Sequence, residues 1–183
     1  EYKNNKYYFK ELNQSIGKVH SFFGNYGVLL RAYVYILTLG KKGLREISQN
    51  AVLNANYLKT LLSSDFDVPF TEGTMHEFVI SALSQKKRGI KALDIAKNLL
   101  DYGFHAPTIY FPTNVPESIM IEPTETESKE TIESFAEKMI YINRNISEKA
   151  DYFKGAPYNT PVRKLNETKA NRELDVKWDF DNG

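Results

Sequence analysis

No cysteine occurs among the 183 residues. That absence excludes a disulfide framework, a thiolate nucleophile and a cysteine-based zinc site. Histidine is scarce too. His20, His76 and His105 are the three, and their wide separation carries no metal-binding spacing. Neither sign of charge prevails: 24 Lys and Arg face 23 Asp and Glu, a net of +1. A nucleic-acid footprint needs clustered, unbalanced positive charge, so no nucleic-acid partner is expected. Long apolar runs are also missing. The longest stretch free of acids, Lys and Arg, Tyr102 to Pro116, holds three prolines and is too short to span a bilayer. No glycine-rich phosphate loop, HExxH helix, GxSxG elbow or EF-hand pattern is present.

What remains is a composition of 42% hydrophobic and 26% charged residues, that of a globular chain able to bury a sizeable core. The absence of cysteine and of a basic-then-apolar leader leads to the expectation of a cytoplasmic protein without a membrane partner. The opening residues 1–9 read as a hairpin turning at Asn4-Asn5, since Asn tolerates left-handed backbone and Tyr and Phe favour strands. Its first arm has only three residues, so either the hairpin is very short or the chain starts inside it, the latter being the expectation.

Val28 to Leu39 is apolar almost all round, and a helix without a polar face requires cover. Arg31 sits inside this run, and since a buried guanidinium without a partner is costly, it is expected to pair with a carboxylate, backbone carbonyls or a bound anion. Gly40-Lys41-Lys42-Gly43 breaks the pattern. A second helix follows to Leu62 with Ile47, Ala51, Ala55, Leu58 and Leu62 on one stripe. Met75 to Ser81 reads as a strand, Gln85 to Gly89 as a basic loop, and Ile90 to Tyr102 as an amphipathic helix stopped by Gly103. Two short strands end at Pro112 and Pro123. A capped helix then carries the stripe Ile132, Phe135, Ala136, Met139 and Ile142. Residues beyond Gly155 read as an irregular tail with Trp178 as a late anchor. The order predicts an α/β chain in α+β layers: a small mixed or antiparallel sheet with helices mainly on one face. Three regions are expected, residues 1–23 as an entering hairpin segment, 24–150 as the α/β domain and 151–183 as the tail.

Three segments bear chemistry. His76-Glu77 beside an apolar strand is either a pocket-lining pair suited to proton transfer or a hydrogen-bonded structural histidine. Asp101 to Thr108, with His105, is either a functional loop or a tight helix-to-strand turn. Glu122 to Ser128 is explained by capping, with a functional role as the alternative.

Specific strings carry the reading further. Gly24 to Tyr33 (GNYGVLLRAY), Ala51 to Tyr57 (AVLNANY), His76-Glu77, Asp101 to Thr108 (DYGFHAPT) and Met120 to Glu130 (MIEPTETESKE) resemble, in order, the C-terminal region of the glycine cleavage system P-protein family. This family comprises the pyridoxal-phosphate-dependent glycine decarboxylases. Ala156 to Leu165 (APYNTPVRKL) resembles subunit 2 of its two-subunit form. The resemblance implies the C-terminal domain of a fold-type I pyridoxal-phosphate enzyme. The implied reaction is glycine decarboxylation with transfer of the aminomethyl group to the lipoyl arm of the H-protein. The implied partners are subunit 1, H-protein and glycine in a hetero-oligomer. The family's cofactor lysine follows a histidine and precedes a glycine-rich stretch, and nothing here matches it. Lys18 is not that lysine. The cofactor is therefore expected mainly on an N-terminal domain, and this segment is expected to be inactive alone. Arg31, His76, Glu77, His105 and Thr108 are the candidate groups near the active-site cleft. The rival reading is a stand-alone, non-catalytic interaction or regulatory module of the same fold.

Overall fold

A computed structural model describes residues 1–20, 22–178 and 180. The chain forms two compact units, Glu1–Arg45 and Glu46–Gly183.

The first unit opens with the expected hairpin. Strands β1 (Tyr2–Lys3) and β2 (Lys6–Tyr7) pair antiparallel, Tyr2 opposite Tyr7. Asn4 and Asn5 turn the chain with φ of 50° and 59°, the left-handed region Asn tolerates. The long helical run α1 (Tyr26–Leu62) begins in this unit, where the Asn25 side chain accepts from the Val28 amide at 3.2 Å. The expected break is real: Gly40 sits inside α1 at φ 62°, ψ −176°, outside helical values. The cover expected for the apolar segment is not supplied by this unit. Val34, Ile36 and Leu37 are half exposed or more. Arg31 is exposed as well, so burial does not oblige it to find a partner.

The second unit holds the core. Residues Ala55, Leu58 and Leu62 bury one stripe of α1, as the spacing predicted. Strand β3 (Phe78–Ser81), α2 (Leu83–Lys87), α3 (Ala92–Asp101), β4 (Thr108–Ile109), β5 (Ser118–Ile121), α4 (Lys129–Arg144), α5 (Ile146–Lys154) and α6 (Glu167–Arg172) follow. The three strands form one antiparallel sheet in the order β3-β5-β4. Phe78 lies opposite Ile121 and Ile80 opposite Ile119, and all four are buried. They meet Leu58, Ile95, Leu99, Ile132 and Met139 from the helices. The alternate residues Val79 and Met120 are only half buried, so the sheet gives one face to the core.

Four local expectations need correction. His76 and Glu77 precede β3 rather than belonging to it. Gln85 to Gly89 is not a plain loop, because α2 forms there. Gln85 is buried and donates to the Asp65 carbonyl at 3.2 Å and to Asn143 Oδ1 at 2.9 Å, which fixes the turn from within. Helix α5 follows α4 after Asn145 and buries Ile146 and Phe153. Trp178 is 72% exposed and so is not a buried anchor. The segment after α5 is instead held by Asp101, whose carboxylate accepts from the Tyr158 and Asn159 amides at 2.6 and 2.7 Å. Among the described residues no helix is long and apolar enough to cross a membrane.

Candidate functional site

Gly103, at φ 79°, ends α3 and turns the chain into Phe104-His105-Ala106-Pro107, which leads to β4. Strand β4 pairs with β5 so that Thr108 lies opposite Met120. The chain leaving β5 passes Glu122 and Pro123 and turns at Thr124 to Glu127. Ser128 then caps α4 by accepting from the Thr131 amide at 3.2 Å. Between these segments opens a cleft of about 410 Å³. Phe104, Phe135 and Leu58 form part of its apolar wall, with the two phenyl rings edge-to-face at 5.3 Å. His105, Thr108, Glu122, Thr124, Glu127 and Thr131 are its polar lining, and no Lys or Arg is among the lining residues.

The candidate residues separate accordingly. His105 and Thr108 both line the cleft. His76 does not line it, but its Nε2 lies 4.0 Å from Oε1 of Glu122, which does. Glu77 is half buried beside His76 and does not line the cleft. Arg31 belongs to the other unit. Three further residues had no role assigned from the sequence. Asn54 Nδ2 donates to the carbonyls of Thr124 at 2.9 Å and Glu127 at 3.2 Å. Asn56 Nδ2 reaches the Thr74 carbonyl at 3.2 Å, and Lys59 Nζ reaches Thr71 O at 3.1 Å and Thr74 Oγ1 at 2.7 Å. Asparagine inside a helix was the available signal, because its side chain competes with the helical backbone and is tolerated where it has other work.

The chemistry of the lining is specific. Carboxylates, an imidazole, hydroxyls and apolar walls suit a neutral or cationic group of modest size. They do not suit pyridoxal phosphate: its phosphate calls for cations or clustered amide donors, and its imine calls for a lysine. No Lys lines this cleft to hold the imine, and no Lys or Arg lines it to meet the phosphate. No group of three or more His, Cys, Asp or Glu able to hold a metal ion is found among the described residues. Nearby, Tyr57 donates to Glu133 Oε1 at 2.5 Å, and this bond with burial pushes its phenol above the ordinary range.

Known proteins resemble the chain closely. Residues 47–161 match the family model of the glycine dehydrogenase C-terminal domain. A probable glycine dehydrogenase (decarboxylating) subunit 2 of Chlorobium phaeobacteroides is 55% identical over 164 residues, 89% of this chain and 34% of that protein. The proteins of the same description from Shouchella clausii and Staphylococcus saprophyticus are 52% and 51% identical, over 91% and 94% of this chain. The chain thus spans about a third of the length of these curated relatives. A crystal structure of glycine decarboxylase (P-protein) of the glycine cleavage system in inhibitor-bound form shares the fold. Its TM-score is 0.54 at 21% identity, over 62% of this chain and 25% of that one. The blocks around the cleft, from Ala51 through Glu130, fall inside the family match. The chain belongs to the glycine dehydrogenase (decarboxylating) subunit 2 family, as its C-terminal domain.

Proposed function

We propose that this chain forms one wall of the active site in a pyridoxal-phosphate-dependent glycine decarboxylase. In this reading it works in the cytoplasm with a subunit 1, and the aminomethyl group leaves on a lipoyl H-protein. The observation that carries the reading is the convergence of His105, Thr108 and Glu122 on one cleft inside the family-matched residues. When bound, the cofactor supplies the electron sink that lets the carboxylate depart. The lining here does not fit that cofactor, so its lysine and phosphate site belong to the rest of the enzyme. The cleft's own contribution is to exclude water and to orient the substrate with apolar walls and a few polar groups. Its lack of cations agrees with a role toward the amine end or an uncharged arm rather than toward a carboxylate or phosphate. Arg31, in the exposed first unit, remains a candidate for an anion met in the complete enzyme.

The test uses the complete two-subunit enzyme and exchange of labelled carbon dioxide into glycine. His105→Ala, Thr108→Ala, His76→Ala, Glu77→Ala and Arg31→Ala are compared with the parent. Loss of about tenfold or more in the His105 or Thr108 variants supports the assignment, the ordinary scale for a displaced acid–base or orienting group. Full exchange by every variant refutes it, and leaves the cleft to a non-catalytic partner contact.

A further inference from the structure

The string Ala51 to Tyr57 has a physical role beyond filling the core. The buried stripe Ala55, Leu58, Leu62 points inward, and Leu58 also lines the cleft. At about 100° per residue, Asn54 and Asn56 lie about 200° apart around α1, on either flank of that stripe, with Lys59 on the Asn56 side. Each flank grips a different loop. On one, Asn54 bridges the Thr124 and Glu127 carbonyls across a turn whose Glu127 amide also bonds to Thr124 O at 3.2 Å. On the other, Asn56 and Lys59 hold Thr71 and Thr74, the approach to His76 and Glu77. The two loops meet where His76 Nε2 stands 4.0 Å from Glu122 Oε1. Both of those side chains are more than half exposed, so packing does not hold them in place.

We infer that Asn54, Asn56 and Lys59 are positioning residues: they fix the two loops that carry His76 and Glu122 and so set the mouth of the cleft. The inference rests on the reading of the cleft as an active-site wall. Neutral donors to backbone carbonyls suit this task. The two asparagines pin the loop backbone without placing a charge against the cleft's carboxylates, while Lys59 holds its loop by its ammonium on Thr71 O and Thr74 Oγ1, and the part of α1 within the second unit is the element from which both loops are referenced.

The complete two-subunit enzyme again serves for the test, with two readouts. Asn54→Asp keeps the volume but sets a carboxylate against two carbonyl oxygens, and Lys59→Met keeps the stem but removes the donor. Amide hydrogen exchange reports loop order, and the glycine–carbon dioxide exchange reaction gives kcat and KM. In Asn54→Asp, exchange at 124–128 is expected to rise about tenfold while 71–76 stays protected, and Lys59→Met is expected to show the reverse. Both are expected to lower kcat about tenfold or more through misplacement, with KM for glycine and the melting temperature nearly unchanged. Lys59→Arg, which retains a donor, is expected to recover most of the activity. Full turnover beside loosened loops overturns the inference. So does a kcat loss matched by a fall in melting temperature and not recovered by Lys59→Arg, since that is the pattern of a merely structural role. A silent His105→Ala beside a slowed Asn54→Asp supports positioning and removes His105 from the chemistry. A slowed His105→Ala beside a silent Asn54→Asp keeps the cleft and sinks the inference.

Discussion

Replacing Asp65 by Asn tests whether the second unit is held at its α1–α4 corner by charge. The Asp65 carboxylate is only 7% exposed. It accepts from Arg144 Nε and Nη2 at 3.0 and 3.1 Å, from Asn143 Nδ2 at 3.1 Å and from the Ser64 hydroxyl at 3.0 Å. Its backbone carbonyl receives Gln85 and Asn143 as well. Asp65→Asn keeps the shape but turns an NH2 toward the guanidinium, donor against donor. A hydrogen bond to a charged group contributes about 1.5–3 kcal/mol, and the exposure of Arg144 to solvent argues for the lower half of that range. A loss of about 2 kcal/mol at pH 7 follows. For a chain of this size that is a fall of about 4–8 °C in melting temperature.

Acid provides the control. The bond from Arg144, with those from Asn143 and Ser64, holds the Asp65 carboxyl below its ordinary value of 3.8 against the opposing pull of burial. A carboxylate depressed in the folded state contributes stability that is complete above its unfolded pKa and lost as pH falls through the folded one. The gap between wild type and Asp65→Asn should therefore be constant from pH 7 to about 5, and should narrow as the pH falls below about 4. Guanidinium melts followed by far-ultraviolet dichroism across this range provide the assay. A gap under about 0.5 kcal/mol at pH 7 would place Asp65→Asn among ordinary surface substitutions and refute the reasoning. A gap that stays constant into acid would refute it too.

Two further outcomes follow from packing. Phe153 is fully buried at the junction of α5 with the core and meets the rings of Tyr141 and Tyr152. Phe153→Ala should cost about 3–5 kcal/mol in the same melts, and a loss below 1 kcal/mol would show that α5 is dispensable to the core. Asp101→Ala removes the acceptor for the Tyr158 and Asn159 amides, while the Arg163 stack on Tyr158 at 4.4 Å remains. Faster tryptic cleavage at Arg163 and Lys164, with the rest of the unit resistant, is expected. Unchanged cleavage would mean that the stack alone holds the segment.

Much of the fold was legible because it depends on local chemistry. The Asn4-Asn5 hairpin, the Gly40 break, the Ala55–Leu58–Leu62 stripe and the Gly103 stop each follow from residues within one or two turns of chain. Helix α2 was hidden because its cause lies elsewhere. Gln85 becomes an inward residue only when Asp65 and Asn143, 20 and 58 positions away, supply its partners. Helix α5 was missed for a related reason. Nothing in the apolar spacing after Ile142 separates it from α4, and the Asn145 junction is set by packing of Ile146 and Phe153.

The site divides along the same line. His105 and Thr108 could be found because one short loop between α3 and β4 delivers both to the cleft. His76 and Glu77 looked equivalent as neighbours in a strand, yet the chain places them in a loop. Only His76 approaches the cleft, through a glutamate that belongs to a different hairpin arm. The bonds of Asn54 span 70 and 73 positions, and no periodicity in α1 encodes them. A helical stripe records which side chains avoid water. It is silent about which loops the flanking polar residues will grip, because those partners are chosen by the closing of the sheet and not by the helix. The first unit makes the same point in reverse. Its apolar helix face was legible as one needing cover, and in this chain Val34 and Leu37 lie open to solvent. An apolar run records that a helix face needs cover, and it does not record which residues supply that cover.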